Sequence, residues 1–128
     1  MESSKLLIDT SIIIDFLRKK KKKNTLFWKY INQYECYIST ITHFELLCGA
    51  NTDLRIKELD VVFNFLTICD LNKETTFLSA KIFQNLKKEN LLIEFRDIFI
   101  AATASSLNMP IATLNKKDFS RIDNLELL

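Results

Sequence analysis

One glycine, one proline and one histidine are spread over 128 residues. So little glycine and proline argues against long loops and against an all-β fold full of tight turns. A single histidine, His43, argues against a Ser-His-Asp triad and against a multi-histidine zinc site. Cys36, Cys48 and Cys69 are odd in number and form no C-x-x-C pair, so they read as buried thiols in a reducing cytosol. No stretch approaches the roughly 20 apolar residues of a membrane span. Glu2 and Lys5 flank too short an apolar stretch for a secretory leader. The expectation is a cytoplasmic protein with no membrane partner. Charge of one sign is also missing: 18 basic against 16 acidic side chains leave +2, which neither demands nor excludes a nucleic-acid partner.

What is present fits a globular chain. Hydrophobic residues make up 48% and charged residues 27%, and residues 1–128 are enough for one domain with a real core but not for two. Apolar runs at Lys5 to Ile8, Cys36 to Ser39, Leu66 to Cys69 and Pro110 to Leu114 read as strands, with Leu125 to Leu128 as a short edge strand. Between them lie helical patterns over about 11–17, 25–34, 41–50, 53–65, 73–89 and from Phe95 or Arg96 to Ala104. Ile56, Leu59, Val62 and Phe63 are the inward face of the fourth helix, and Phe77, Leu78, Ile82, Phe83 and Leu86 the apolar positions of the fifth. Arg18 to Lys23 is a run of six cations that repel one another, read as a solvated loop adding a general attraction for phosphate. This alternation predicts a three-layer α/β/α fold with a mostly parallel sheet of four to five strands.

The chemistry-bearing residues sit where such strands end. Leu6-Leu7-Ile8 runs directly into Asp9-Thr10-Ser11. In open α/β sheets ligands bind outside the carboxyl ends of the strands, although Asp9, Thr10 or Ser11 can equally cap the following helix. Strand 4 likewise ends at Asn115-Lys116-Lys117-Asp118, where an exposed turn is the plainer reading. Glu45 is embedded in I-T-H-F-E-L-L-C, and Asp97 shares a helix face with Ala101 and Ala104, with Glu94 as an accessory acid. Asp97 in a first helical turn is also favoured by the helix dipole. Asp15 reads as a solvated helix residue, and His43 points away from Glu45.

Right-handed crossovers bring like strand ends to one edge, so Asp9, Glu45, Asp97 and Asp118 can converge there. Four carboxylates cannot all ionise together without a cation. Oxygen ligands without histidine or cysteine point to Mg²⁺ or Mn²⁺, and metal-dependent phosphodiester hydrolysis is the natural chemistry.

Four blocks add a resemblance: L-L-I-D-T-S, I-S-T-I-T-H-F-E-L-L-C-G-A, D-I-F-I-A-A-T-A and A-T-L-N-K-K-D-F, in this order along essentially the whole chain. Together they resemble the signature blocks of PIN-domain proteins, and among these the VapC-type toxins of bacterial toxin–antitoxin pairs. The resemblance implies an Mg²⁺- or Mn²⁺-dependent endoribonuclease. Asp9 and Asp97 would be the principal metal ligands, with Glu45 and Asp118 completing the shell and orienting the attacking water. Thr10 or Ser11 and Asn115 would lie at the rim, against substrate or bound water. It also implies a homodimer and a VapB-type antitoxin that inserts a segment into the acidic groove. Two residues depart from the pattern. Ser11 stands where asparagine is common, and Arg96 precedes Asp97 where a small or apolar residue is usual; folded into the site Arg96 would compete for the carboxylates and weaken metal binding, and it is expected instead to point outward or to an RNA phosphate. A non-catalytic binding module of the same fold is the rival reading. A phosphatase or receiver domain with an aspartate after strand 1 is a second, and a haloacid-dehalogenase-like enzyme would want another aspartate where Ser11 stands.

Overall fold

The computed structural model describes residues 4–128; Glu2, one of the charges set against a secretory leader, lies outside them. Four parallel strands form one sheet: β1 (Lys5–Ile8), β2 (Glu35–Ser39), β3 (Thr67–Cys69) and β4 (Ile111–Ala112), in the order β3-β2-β1-β4. The central strand β1 pairs with β2 through Leu6 and Cys36, and with β4 through Leu7 and Ile111. The C-terminal segment predicted as an edge strand adds one bridge, between Ile111 and Leu127.

Strand β1 shows why its apolar run has no alternation. Leu6 and Ile8 face one core with Ile12, Ile13, Ile38 and Phe27, while Leu7 faces the other with Ile100, Ala101 and Ile111. Both faces of the parallel strand are covered from Leu6 to Ile8, so these positions are all apolar, while Lys5 at its start is exposed. Helices α1 (Thr10–Arg18), α2 (Leu26–Ile31), α3 (Thr40–Cys48) and α4 (Asp53–Phe63) supply the first layer, and α5 (Lys73–Lys88) and α6 (Phe95–Ser106) the second. Ala101, Ala102 and Ala104 are fully buried, and their small side chains let α6 lie close against the sheet.

Most boundaries follow local chemistry. Thr25, Ser39, Thr52 and Asn72 each accept a backbone N–H at the start of α2, α3, α4 and α5. Several expectations are corrected. The second helix stops at Ile31, not Tyr34. The turn expected after β4 is a short helix, α7 (Lys116–Phe119), anchored by the fully buried Phe119. Ile56 and Phe77 keep the helical period but face outward, and Cys48 is exposed. Cys36 is buried, which pushes its thiol up to about 12. The basic run is not uniformly solvated. Lys22 folds back, and its Nζ donates to the carbonyls of Phe16, Leu17 and Lys19 at 2.8, 3.1 and 3.1 Å, closing the C-terminal end of α1. Among the described residues, no helix is long and apolar enough to cross a membrane.

Candidate active site

The chain runs outward from β1 through β2 to β3, then returns to place β4 on the other side of β1. The carboxyl ends of β1 and β4 therefore flank a topological switch point, where an open α/β sheet leaves a crevice. Asp9 emerges there and is only 4% exposed. It occupies the N-cap position of α1 but makes no side-chain cap bond. Its Oδ2 instead accepts from Ser11 Oγ at 2.6 Å and from Thr113 Oγ1 at 2.8 Å. The capping alternative for Asp9 is thereby answered: the carboxylate is held at the sheet edge by two hydroxyls.

The same hydroxyls tie β4 to the site. Ser11 Oγ accepts from the Leu114 N–H at 3.0 Å, and Thr113 Oγ1 from the Asn115 N–H at 2.9 Å. Asn115 Nδ2 donates to Asp118 Oδ2 at 3.1 Å. Asp118 and Asn115 thus join the site through the β4 end. Glu45 arrives from α3; its Oε1 accepts from Thr10 Oγ1 at 2.9 Å, and a second 2.9 Å bond links Thr10 to the buried Thr42 hydroxyl.

Asp97 is half-buried in the first turn of α6. Its carboxyl is pushed up to about 6, first by burial and then by the charges of Asp9, Glu94 and Glu45, while Arg96 opposes the shift. Asp9, Glu45 and Asp97 are therefore brought together, with Glu94 beside them. Asp118 is not among the charges acting on Asp97. Asp15 is half-buried and pairs along α1 with Lys19 at 3.7 Å, and His43 packs edge-on against Phe63 at 5.0 Å between ring centres.

Arg96 corrects an expectation. Its side chain stays exposed, yet it does not stand free of the acids: its Nη1 lies 3.4 Å from Glu45 Oε2 and its Nη2 2.7 Å from Glu94 Oε2. Glu94 attracts it from the preceding turn and Glu45 from a different helix, so the side chain lies across the acids. Two further residues, Thr113 and Thr42, support the site and were not singled out for that role by sequence. Thr113 is a hydroxyl between Ala112 and Leu114, a signal that could have marked it; Thr42 sits among Ser39, Thr40 and His43 and carries no such mark.

A resident cation fits the donor chemistry, which is all hard oxygen with repulsion at Asp97 that Arg96 only partly offsets. Among the described residues, no three acidic, histidine or cysteine groups stand so as to hold a metal ion.

The PIN-domain family model matches residues 6–125. The ribonuclease VapC of Rickettsia bellii is 38% identical over 133 residues, covering 96% of this chain and 94% of that protein. Ribonuclease VapC1 of Methanocaldococcus jannaschii is 33% identical, covering 98% and 87%. Among solved structures, VapBC2 from Rickettsia felis bound to a promoter DNA fragment superposes with a TM-score of 0.86 at 25% identity, covering 97% of each chain. VapBC-1 from nontypeable Haemophilus influenzae gives 0.84 at 27%, covering 97% of this chain and 96% of that one. On these likenesses, and on the order of its four sequence blocks, the chain belongs to the PIN-domain family and, within it, to the VapC group.

Proposed function

We propose that this chain is a metal-dependent endoribonuclease, the toxin of a toxin–antitoxin pair, acting in the cytoplasm as a single domain over residues 1–128. The observation that carries the catalytic reading is the clustering of Asp9, Glu45 and Asp97 at the switch point, where burial first and then the neighbouring acids push the Asp97 carboxyl up to about 6. Arg96 offsets only part of the charge of acids crowded together in this way, and Mg²⁺ or Mn²⁺ suits their oxygens. Asp9 and Asp97 would be the principal ligands, with Glu45 and Asp118 completing the shell and orienting water. A divalent ion bound there would activate that water and offset charge developing on the phosphate. Water oxygen bonds to phosphorus, the bridging P–O bond breaks, and the departing oxygen takes up a proton.

The other residues bind and position. Thr10 and Ser11 hold Glu45 and Asp9 in place and, with Asn115, line the rim toward substrate. Arg96 is the cation nearest a phosphate at the acids. A groove of about 330 Å³ leads away from Glu45, with Arg18 and Arg55 on its walls. It offers a path along which an RNA backbone meets positive charge.

Partners are read from the relatives. The solved neighbours include VapBC complexes, some bound to DNA, and we infer a VapB-type antitoxin and a homodimer for this chain. Phe44, Leu47, Leu54 and Val61 on α3 and α4 are exposed, as expected of a chain that buries surface against other proteins.

The test is cleavage of total RNA by purified protein freed of antitoxin, with Mg²⁺, Mn²⁺ or EDTA, beside Asp97→Asn. Cleavage that requires both metal and Asp97 supports the reading. Folded protein that cuts no RNA under any condition would favour the non-catalytic binding module, and metal-independent cleavage surviving in Asp97→Asn would reject the proposed chemistry.

A further inference from the structure

The positive charge inside the acid cluster belongs to the chain itself. Arg96 engages Glu45 Oε2 while Thr10 engages Oε1, so both oxygens of Glu45 are occupied by protein groups. The Arg96 side chain is 56% exposed and the Glu45 side chain 22%. The guanidinium therefore approaches from the solvent side, and part of it remains in water. Ion pairs of such exposure are weak and readily exchanged. Glu94, at the start of the same helix, also pairs with Arg96 at 2.7 Å, a contact that does not depend on Glu45.

We propose that Arg96 is an internal counter-cation that competes with the divalent ion for Glu45. It holds the carboxylate in the metal-free protein and must release it for the ion to be fully coordinated. This rests on the reading of Asp9, Glu45 and Asp97 as a metal site. Two observations favour competition over simple surface pairing. Arg96 contacts an acid from another helix, 51 residues away by numbering (96 − 45), and not only its sequence neighbour. With Thr10 on Oε1 and Arg96 on Oε2, both oxygens of Glu45 already face protein donors, so an ion reaching this acid must share or displace one of them. A fixed positive charge beside the site also repels a divalent ion directly. Both effects lower metal affinity, so loading would require a higher ion concentration than the acids alone would need.

The experiment measures metal binding without RNA. Full-chain protein, stripped with EDTA and exchanged into chelator-free buffer, is titrated with Mn²⁺ by calorimetry and by the electron paramagnetic resonance signal of free Mn²⁺. Arg96→Gln should bind Mn²⁺ roughly fivefold more tightly than wild type, the gain expected from removing an exposed ion pair. Introducing Glu45→Gln should weaken binding and remove most of the gain from Arg96→Gln, because the contested acid is gone. Equal or weaker Mn²⁺ binding by a folded Arg96→Gln protein would overturn the proposal, as would a gain that persists in full beside Glu45→Gln. Failure of every variant to bind Mn²⁺ would overturn the metal site and this inference together. Tight Mn²⁺ binding with the predicted Arg96 effect but no RNA cleavage would reject the nuclease reading and leave the competition standing.

Discussion

Thr113, just past β4, donates a 2.8 Å hydrogen bond to Asp9, just past β1, across 104 residues of chain. The Thr113 oxygen also accepts the Asn115 N–H, so one hydroxyl fixes the carboxylate and the loop toward Asp118. Thr113→Val keeps the shape and removes both bonds. Bonds to charged groups in buried settings contribute about 2 kcal/mol each, and we expect a stability loss of about that size in urea unfolding. Cleavage should fall as well, because Asp9 is left to Ser11 alone. Ser11→Ala should cost a similar amount, and the double variant should depart from additivity because both hydroxyls serve the same oxygen. A Thr113→Val protein with unchanged stability and activity would remove Thr113 from the site.

Asp97 sets a pH dependence. Its carboxyl lies near 6 in the folded protein, against an ordinary value of 3.8, through burial and the charges of Asp9, Glu94 and Glu45, with Arg96 opposing. The folded state therefore binds the proton more tightly than the unfolded state. Its contribution favours folding at low pH and is lost as pH rises from about 4 through about 6. Without metal, Asp97→Asn should flatten this dependence and be more stable than wild type at pH 7. Asp97 is only half-buried, and water screening limits the gain to about 1 kcal/mol. Thermal melting in EDTA between pH 4 and pH 7 checks it, and a less stable Asp97→Asn at pH 7 would assign Asp97 a structural bond instead.

How much of this could be read from sequence depends on how local each signal is. Strand β1 was legible because an apolar run covered on both faces has no other plain explanation. Helix α5 was legible through its Asn72 cap and its period. The candidate acids stood out because each interrupts or ends an apolar stretch. Absent side-chain caps carry a related message. Helices α1, α6 and α7, all starting at the site, have Asp9, Glu94 and Asn115 at the N-cap with no capping bond. Such a bond usually contributes about 1 kcal/mol, and here Asp9 is turned to Ser11 and Thr113, Glu94 to Arg96 and Asn115 to Asp118. Only three-dimensional structure reveals that choice. Thr113 and Thr42 were hidden because their partners are distant in sequence. The pairing of Arg96 with Glu45 is not legible for the same reason, since Glu45 lies on another helix. Exposed Ile56 and Phe77 show that a helical period marks a face without saying what covers it.

Lys22 separates structure from field within the basic run. Its ammonium binds three carbonyls at the end of α1 and lies 4.9 Å from the centre of the Phe16 ring. Lys22→Ala should lower stability by about 1 kcal/mol through loss of these charge-assisted bonds. Lys21→Ala, an exposed position in the same run, should leave unfolding unchanged. If the two variants melt alike, Lys22 is as solvated as its neighbours and its bonds contribute nothing.

Metal should report on the acid cluster before any RNA is added. An ion that binds the folded chain and not the unfolded one stabilises it by mass action, about 2.7 kcal/mol at a concentration 100 times its dissociation constant. Mg²⁺ or Mn²⁺ should therefore raise the melting temperature, and EDTA should reverse the rise. Asp9→Asn removes a buried charge while keeping an oxygen that can accept from Ser11 and Thr113, so the variant should fold yet lose most of the metal-dependent rise and all cleavage. Ca²⁺, which accepts more ligands at longer distances, serves as a comparison for how closely the site fits the smaller ion. An equal rise in Asp9→Asn would place the bound ion elsewhere on the protein and remove Asp9 from its ligands.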